Sequence, residues 1–167
     1  MSYFVVLHGP LGSGKSTNAE KLARILNAKR FALDEVLSEN NLDKLEPNSA
    51  CIPAANFIKG LEIVIPKARD FLQKGKIVIF DGCFYHYEVL DYLIKNLNFP
   101  HYVFTLKAPI NVCIDRDKLR PKTLGEDAAR AVYTLVSCHN FGIIIDANKS
   151  LEETQRAIMS HLPKINN

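Results

Sequence analysis

Gly9-Pro-Leu-Gly-Ser-Gly-Lys-Ser16 is an unbroken match to the phosphate-loop pattern G-x-x-x-x-G-K-[ST]. Its flanks have the right character. Tyr3-Phe-Val-Val-Leu-His8 is a short, apolar, β-rich run that stops just before the first glycine. Residues Asn18 to Asn27 follow with Ala19, Leu22, Ala23 and Leu26 at helical spacing. Strand, loop and helix in that order separate a phosphate loop from a glycine turn that merely precedes a helix. Glycines at 9, 12 and 14 let the backbone curl around an anion with its N–H groups pointing inward, and the helix behind them adds the positive end of its dipole. Lys15 supplies a point charge to the β- and γ-phosphates, and the Ser16 hydroxyl is placed to ligate Mg²⁺. The candidate contacts for a nucleoside triphosphate are Gly9, Pro10, Leu11, Gly12, Ser13, Gly14, Lys15, Ser16 and Thr17.

The rest of the chain bounds the setting. At 167 residues, 47% apolar and 23% charged, it reads as one soluble domain over residues 1–167 with a core of its own. The net charge of +3 is mild and partly used on phosphate, so it makes no separate case for a nucleic-acid surface. Cys51, Cys83, Cys113 and Cys138 stand far apart, with no C-x-x-C and no histidine at zinc spacing. They are expected to be buried thiols in a reducing compartment. No charged leader precedes the first apolar run, and no stretch approaches the roughly 18 apolar residues of a membrane span. A cytoplasmic protein without a membrane partner is expected.

Strands and helices alternate along the chain. Arg30 to Leu33 reads as a second strand ending at Asp34, and residues 38–49 are polar and turn-rich. Pro53 opens a long helical segment (Phe57, Ile58, Leu61, Val64, Ile65, Ala68, Phe71, Leu72) in which Pro66 predicts a kink or break, with Gly75 as its stop. Lys76 to Asp81 is a continuous apolar run closed by an acid, as in a strand buried on both faces. His86–Asn96 and Ile110–Arg120 read as helices around a fourth strand, His101–Lys107. Thr123-Leu-Gly-Glu126 has the capping-box pattern for a helix running to about Cys138, and Ser150-Leu-Glu-Glu153 has it for the last helix. Phe141–Asp146 is the fifth strand. The alternation implies a parallel sheet with helices on both faces, an α/β fold.

Among phosphate-loop proteins, a GTPase needs Asn-Lys-x-Asp, and Asn148-Lys149-Ser150-Leu151 puts a leucine where the acid belongs. The length does not suit an ABC or AAA-type motor. GPLGSGKST, ALDE, IVIFDG and the basic stretch holding Arg116 and Arg120 resemble the small phosphate-loop kinases. Within these the chain is most similar to the polynucleotide-kinase-like and zeta-toxin-like group, with nucleotide, gluconate and shikimate kinases more distant. The resemblance implies a three-layer P-loop NTPase fold with a five-stranded parallel sheet of order 2-3-1-4-5, a mobile lid around residues 114–124, and use of ATP with Mg²⁺.

It also assigns candidate roles. Asp34 falls where this group holds a carboxylate near the acceptor, as catalytic base; its other reading is the N-cap of a helix starting at Glu35, and Glu35 itself offers a second carboxylate. Asp81 ends the third strand, either holding Mg²⁺ through water and orienting the acceptor, or forming an Asp-Gly turn. Arg116 and Arg120 are four apart on one helix face, with Lys118 and Lys122 nearby; either they neutralise charge on the transferring phosphoryl group or they pair with Asp115 and Asp117 on a solvated helix. Tyr85, His86 and Tyr87 either line the acceptor pocket or pack at a helix start, and His8 ends the first strand. Between Phe31 and Phe80 the only arginine is Arg69. Clamping an anionic acceptor favours bidentate arginines, so a neutral hydroxyl of a small metabolite, nucleoside or nucleic-acid 5′ end fits better than a nucleoside monophosphate. A nucleotide-dependent switch without an acceptor is the alternative from another class.

Overall fold

Central strands of a parallel sheet need apolar cover on both faces, and the continuous apolar runs supply it. The computed structural model describes residues 2–47, 51–121 and 123–164. Its elements are β1 (Phe4–His8), α1 (Lys15–Ile25), β2 (Lys29–Ala32), α2 (Leu33–Glu39), α3 (Ala54–Gln73), β3 (Val78–Gly82), α4 (Tyr87–Leu97), β4 (His101–Lys107), α5 (Ile110–Lys118), α6 (Glu126–Ser137), β5 (Ile143–Asp146) and α7 (Leu151–Met159). The strands pair in parallel in the order β2-β3-β1-β4-β5, the order the resemblance implied.

Every residue of β1 and β3 is buried. Phe4, Val6 and Phe80 point into a core shared with Phe57 and Leu61 of α3 and Leu93 of α4. Val5, Leu7 and Ile79 point the other way, against Ala19 and Leu22 of α1 and Ile158 of α7. Side-chain alternation along each strand therefore builds the three layers. Because β1 lies between β3 and β4, the loop leaving it emerges at the point where the strand order reverses, the usual place for a ligand crevice.

Local readings held to different degrees. Ser150 and Glu153 form the reciprocal capping box of α7. The corresponding pattern before α6 does not form: Gly125 is the N-cap, and the Thr123 hydroxyl is taken instead by the Asp117 carboxylate at 2.7 Å. The helix α3 runs unbroken through Pro66. Pro66 and Glu62 both face solvent, so the carbonyl that loses its intrahelical partner can be hydrated, which softens the proline penalty. Asp34 is not an N-cap but lies in the first turn of α2, whose N-cap is Ala32. Of the four cysteines only Cys83 and Cys113 are buried; Cys51 is partly exposed and Cys138 exposed. Part of the polar 38–49 stretch, and Lys122, lie outside the described residues.

The chain leaving α6 is pressed onto β4. Thr105, 1% exposed, donates its hydroxyl to the Phe141 carbonyl at 2.7 Å and accepts the Phe141 N–H at 3.0 Å. Gly142, at φ +63°, comes so close that a Cβ there would stand 2.1 Å from the Val103 carbonyl oxygen. Thr105→Val keeps the shape but strands both Phe141 groups, each costing about 1–3 kcal/mol when buried and unpaired. Urea unfolding is expected to show a loss of about 2–4 kcal/mol, with Thr105→Ser recovering most of it.

Candidate active site

The loop between β1 and α1 is shaped by backbone contacts. Gly12 has φ +72°, and a Cβ on it would stand 1.9 Å from the Cys113 carbonyl oxygen of α5, so glycine is required both by conformation and by space. The N-terminus of α1 carries no side-chain cap and no acidic residue in its first turn. Its amide groups are therefore left for an anion, the arrangement a polyphosphate needs. Lys15 is 6% exposed and donates from Nζ to the Pro10 carbonyl at 2.8 Å. This holds the ammonium over the loop, ready to exchange a neutral carbonyl for charged phosphate oxygens.

A cleft of about 330 Å³ opens above the loop. One wall is the loop and Ser16, Thr17 and Asn18; the other is Arg116 and Arg120 with Ala147, Lys149, Leu151 and Thr154 beyond β5. Both arginines thus face the same space as the loop. Arg116 donates to the Ala147 carbonyl at 2.8 Å, bridging α5 to the strand end across the cleft. Arg120 is half exposed and lies 3.4 Å from the Asp117 carboxylate, which is itself 2% exposed.

Asp34 stands at the head of α2, reached by solvent yet hemmed in by protein. Burial pushes its pKa above the ordinary carboxylate value; the charge of Lys15 opposes this, that of Asp81 adds to it, and the Cys83 N–H and Arg120 oppose it. Burial likewise raises the Cys83 thiol to about 11 against the pull of Lys15, leaving it a neutral wall of the site. Lys15, Asp34, Cys83 and Arg120 therefore share one electrostatic neighbourhood, beside the phosphate cradle.

Asp81 has a partner that the sequence reading did not name. Its buried carboxylate accepts from Arg30 Nε at 2.7 Å and from the second guanidinium nitrogen at 3.0 Å, a bidentate pair. Burial works against the Arg30 charge, but the bonds to Asp81 and the charges of Asp81, Glu35 and Glu20 outweigh it and raise its pKa. With each Asp81 oxygen accepting from Arg30, the carboxylate has only its remaining lone pairs to offer a water or a metal. Among the described residues no group of three or more His, Cys, Asp or Glu could hold a metal. The donors present fit Mg²⁺, which needs few protein ligands when phosphates supply the rest: the Ser16 hydroxyl directly, and Asp81 at one remove.

Sequence reading missed Arg30, and the reason is geometric. Arg30 pairs in register with Ile79, two residues before Asp81, which puts its side chain on the same face. Register between strands far apart in the chain leaves no local signal. Glu35, the second carboxylate considered, sits 3.6 Å from Arg30 and is exposed. Tyr85 and His86 grip a single residue: the Tyr85 hydroxyl accepts the Ile52 N–H at 2.8 Å and His86 Nε2 donates to the Ile52 carbonyl at 2.8 Å. Tyr87 lies exposed, its ring 5.9 Å from that of Phe141. Arg69 is bonded to the Asn96 carbonyl at the end of α4. His8 ends β1 fully buried, and burial, helped by the Lys15 charge and opposed by the His139 carbonyl, lowers its pKa to about 3.

A cleft above the loop that leaves β1, on a 2-3-1-4-5 parallel sheet, defines the class, a phosphate-loop NTPase-fold domain. Residues 4–134 match the AAA domain family, and the chain belongs to that family. The length argument against AAA-type motors therefore does not extend to the phosphate-loop domain of that name. None of the curated proteins matches this sequence. Among solved structures, the fold is similar to an unliganded sugar kinase from Janibacter sp. HTCC2649, with a TM-score of 0.74 at 18% identity over 96% of this chain and 94% of that one. It is also similar to a gluconokinase from Sinorhizobium meliloti 1021, with a TM-score of 0.69 at 15% identity over 93% and 89%.

Two measurements test this electrostatic account. Arg30→Met leaves Asp81 buried and unpaired, a loss of about 3–5 kcal/mol in unfolding free energy; adding Asp81→Asn to it is expected to restore much of that, where independent sites would add. His8 gives a pH signature. The unfolded chain protonates this imidazole below about 6.5, the folded chain only below about 3. Protons therefore favour unfolding in between, so its contribution is fully present above 6.5 and is lost as pH falls toward 3. The drop in Tm from pH 7.5 to pH 5 is expected to shrink in His8→Leu.

Proposed function

We propose that this protein is an ATP- and Mg²⁺-dependent phosphotransferase that moves the γ-phosphoryl group to a hydroxyl of a small metabolite. The observation that carries the reading is the convergence of Lys15, Asp34 and Arg120 beside a phosphate cradle. Asp34 accepts the proton of the attacking hydroxyl; its raised pKa makes it a stronger base than an ordinary carboxylate. The acceptor oxygen bonds to the γ-phosphorus as the bond to the β–γ bridging oxygen breaks, and ADP leaves with the electron pair. Lys15, Arg116 and Arg120 stabilise the charge spread over the phosphoryl oxygens, work for which a comparable arginine is worth on the order of 10³–10⁵ in rate. Mg²⁺, held by Ser16 and the phosphates with Asp81 behind water, supplies further charge neutralisation when bound.

The kinase names of the two structural neighbours support a small hydroxylated acceptor. The finer resemblance to polynucleotide-kinase-like and zeta-toxin-like proteins keeps a nucleoside or nucleic-acid 5′ end within the reading. A nucleoside monophosphate is disfavoured by one observation: Arg69 is held by a backbone carbonyl and Arg30 by Asp81, so neither arginine of this region is free to clamp a phosphate.

ADP release from Mg·ATP, measured with pools of sugars, small hydroxy metabolites, nucleosides, nucleoside monophosphates and 5′-hydroxyl oligonucleotides, tests this. One pool is expected to stimulate release, with Lys15→Ala abolishing turnover and Asp34→Asn lowering kcat at least 100-fold while ATP affinity stays within about threefold. Arg116→Ala and Arg120→Ala are expected to lower kcat more than they weaken ATP binding. Slow release that no pool stimulates and only Lys15→Ala removes would replace the transferase by a nucleotide-dependent switch.

A further inference from the structure

Of the two carboxylates on α5, Asp117 is turned into the protein and is 2% exposed, while Asp115 faces solvent. A carboxylate taken out of water opposes folding unless its oxygens find donors or a cation. Asp117 has one of each. The Thr123 hydroxyl donates to Oδ2 at 2.7 Å, and the Arg120 guanidinium lies 3.4 Å from Oδ1. Among the described residues no other lysine or arginine comes within ion-pair distance of this carboxylate.

The two contacts do separate work. The Thr123 side closes the turn from α5 to α6: the same hydroxyl accepts the Gly125 N–H at 3.1 Å, at the N-cap of α6. Lys118 of α5 and Glu126 of α6 brace that turn independently, 3.1 Å apart. The Arg120 side opens on the cleft. Arg120 is half exposed and lines the cleft together with Lys15 and Ser16. Among the described residues its side chain makes no other hydrogen bond or ion pair. Arg116, by contrast, is already held by the Ala147 carbonyl at 2.8 Å. Without Asp117, Arg120 is a long, flexible cation that has to be immobilised each time it is used.

We propose that Asp117 is a positioning residue for Arg120: its Oδ1 holds the guanidinium over the phosphate loop before nucleotide binds, so that the γ-phosphate meets a cation already in place. The guanidinium carries its N–H donors on a rigid fork, so one edge can rest on Asp117 while the others stay free for phosphate oxygens. The inference rests on the contact of Arg120 with the transferring phosphoryl group, and not on the identity of the acceptor.

The Mg²⁺ complexes of AMP-PNP and ADP differ by the terminal phosphate group. The ratio of their affinities, read by isothermal titration calorimetry, therefore isolates the γ-phosphate contact. Asp117→Asn keeps the shape and an acceptor for Thr123 but removes the charge. It is expected to lower the preference for AMP-PNP over ADP about 3–10-fold, the cost of ordering one rotamer-rich side chain, with ADP affinity unchanged. Thr123→Val removes the turn contact and keeps the Arg120 pair, so its ratio is expected to stay within about twofold of wild type. In an Arg120→Ala background, Asp117→Asn is expected to change the ratio no further, because the group it positions is gone.

Equal losses for both nucleotides in Asp117→Asn, the same fall in Thr123→Val, or an undiminished effect in the Arg120→Ala background would make Asp117 a support of the turn alone and overturn the inference. The wild-type protein supplies a check that needs no variant of Asp117. ¹⁵N NMR of the arginine side chains, with Arg120→Lys to assign the Nε–H, is expected to find Arg120 ordered in the absence of nucleotide. Mobility equal to that of an exposed arginine such as Arg24 overturns the inference as well. If Arg120→Ala itself leaves the ratio unchanged, the phosphoryl role of Arg120 fails and this inference with it; if the wild-type protein binds neither nucleotide, the phosphate-loop reading fails.

Discussion

The Gly12–Cys113 approach is the constraint on which the site depends. A loop that must present its amides to an anion has no side chains to spare for its own support, so its shape is imposed from outside. Here α5 does so directly, with the Cys113 carbonyl so close that no Cβ fits between them. The same helix carries Arg116 and, just past its end, the chain carries Arg120. The element that moulds the loop therefore also brings both arginines to the cleft above it.

Charge in the site follows from this compactness. Lys15 acts at once on Asp34, Cys83 and His8. Burial is the larger influence on each; the ammonium draws the carboxylate toward its ionised form, tempers the effect of burial on the thiol and adds to the burial that keeps the histidine neutral. An exchange of its carbonyl partner for an anion would be felt by all three. Asp81, by contrast, is tied to Arg30, which makes a buried carboxylate into a hydrogen-bonded strut between β2 and β3.

What was legible in the sequence was what depends on chain-local chemistry. The phosphate loop, the apolar runs of β1 and β3 and the Ser150–Glu153 cap are each written in a few consecutive residues, and all three appear as read. The strand order was carried by family resemblance. Readings failed where a residue had a distant competitor or a solvent outlet. Thr123 matched a helix cap, but its hydroxyl donates to the Asp117 carboxylate and accepts the Gly125 N–H, an arrangement that leaves Gly125 as the N-cap. Pro66 matched a break, but the exposed face of α3 let water take the orphaned carbonyl. Arg30 carried no signal at all, because its partner is set by strand register.

The grip of Tyr85 and His86 on Ile52 has a consequence for how such a protein can diverge. In the stretch between α2 and α3 the N–H and carbonyl of Ile52 are both held by side chains that lie outside the lining of the cleft, while Leu42, Cys51 and Ile52 itself pack on the core. The loop between β1 and α1 is held on the opposite side by the Gly12–Cys113 approach, the second core face and the Gln155–Asn18 bonds. Substitutions around Ile52 can therefore reshape the surface above α2 and α3 while the packing that moulds the loop stays as it is.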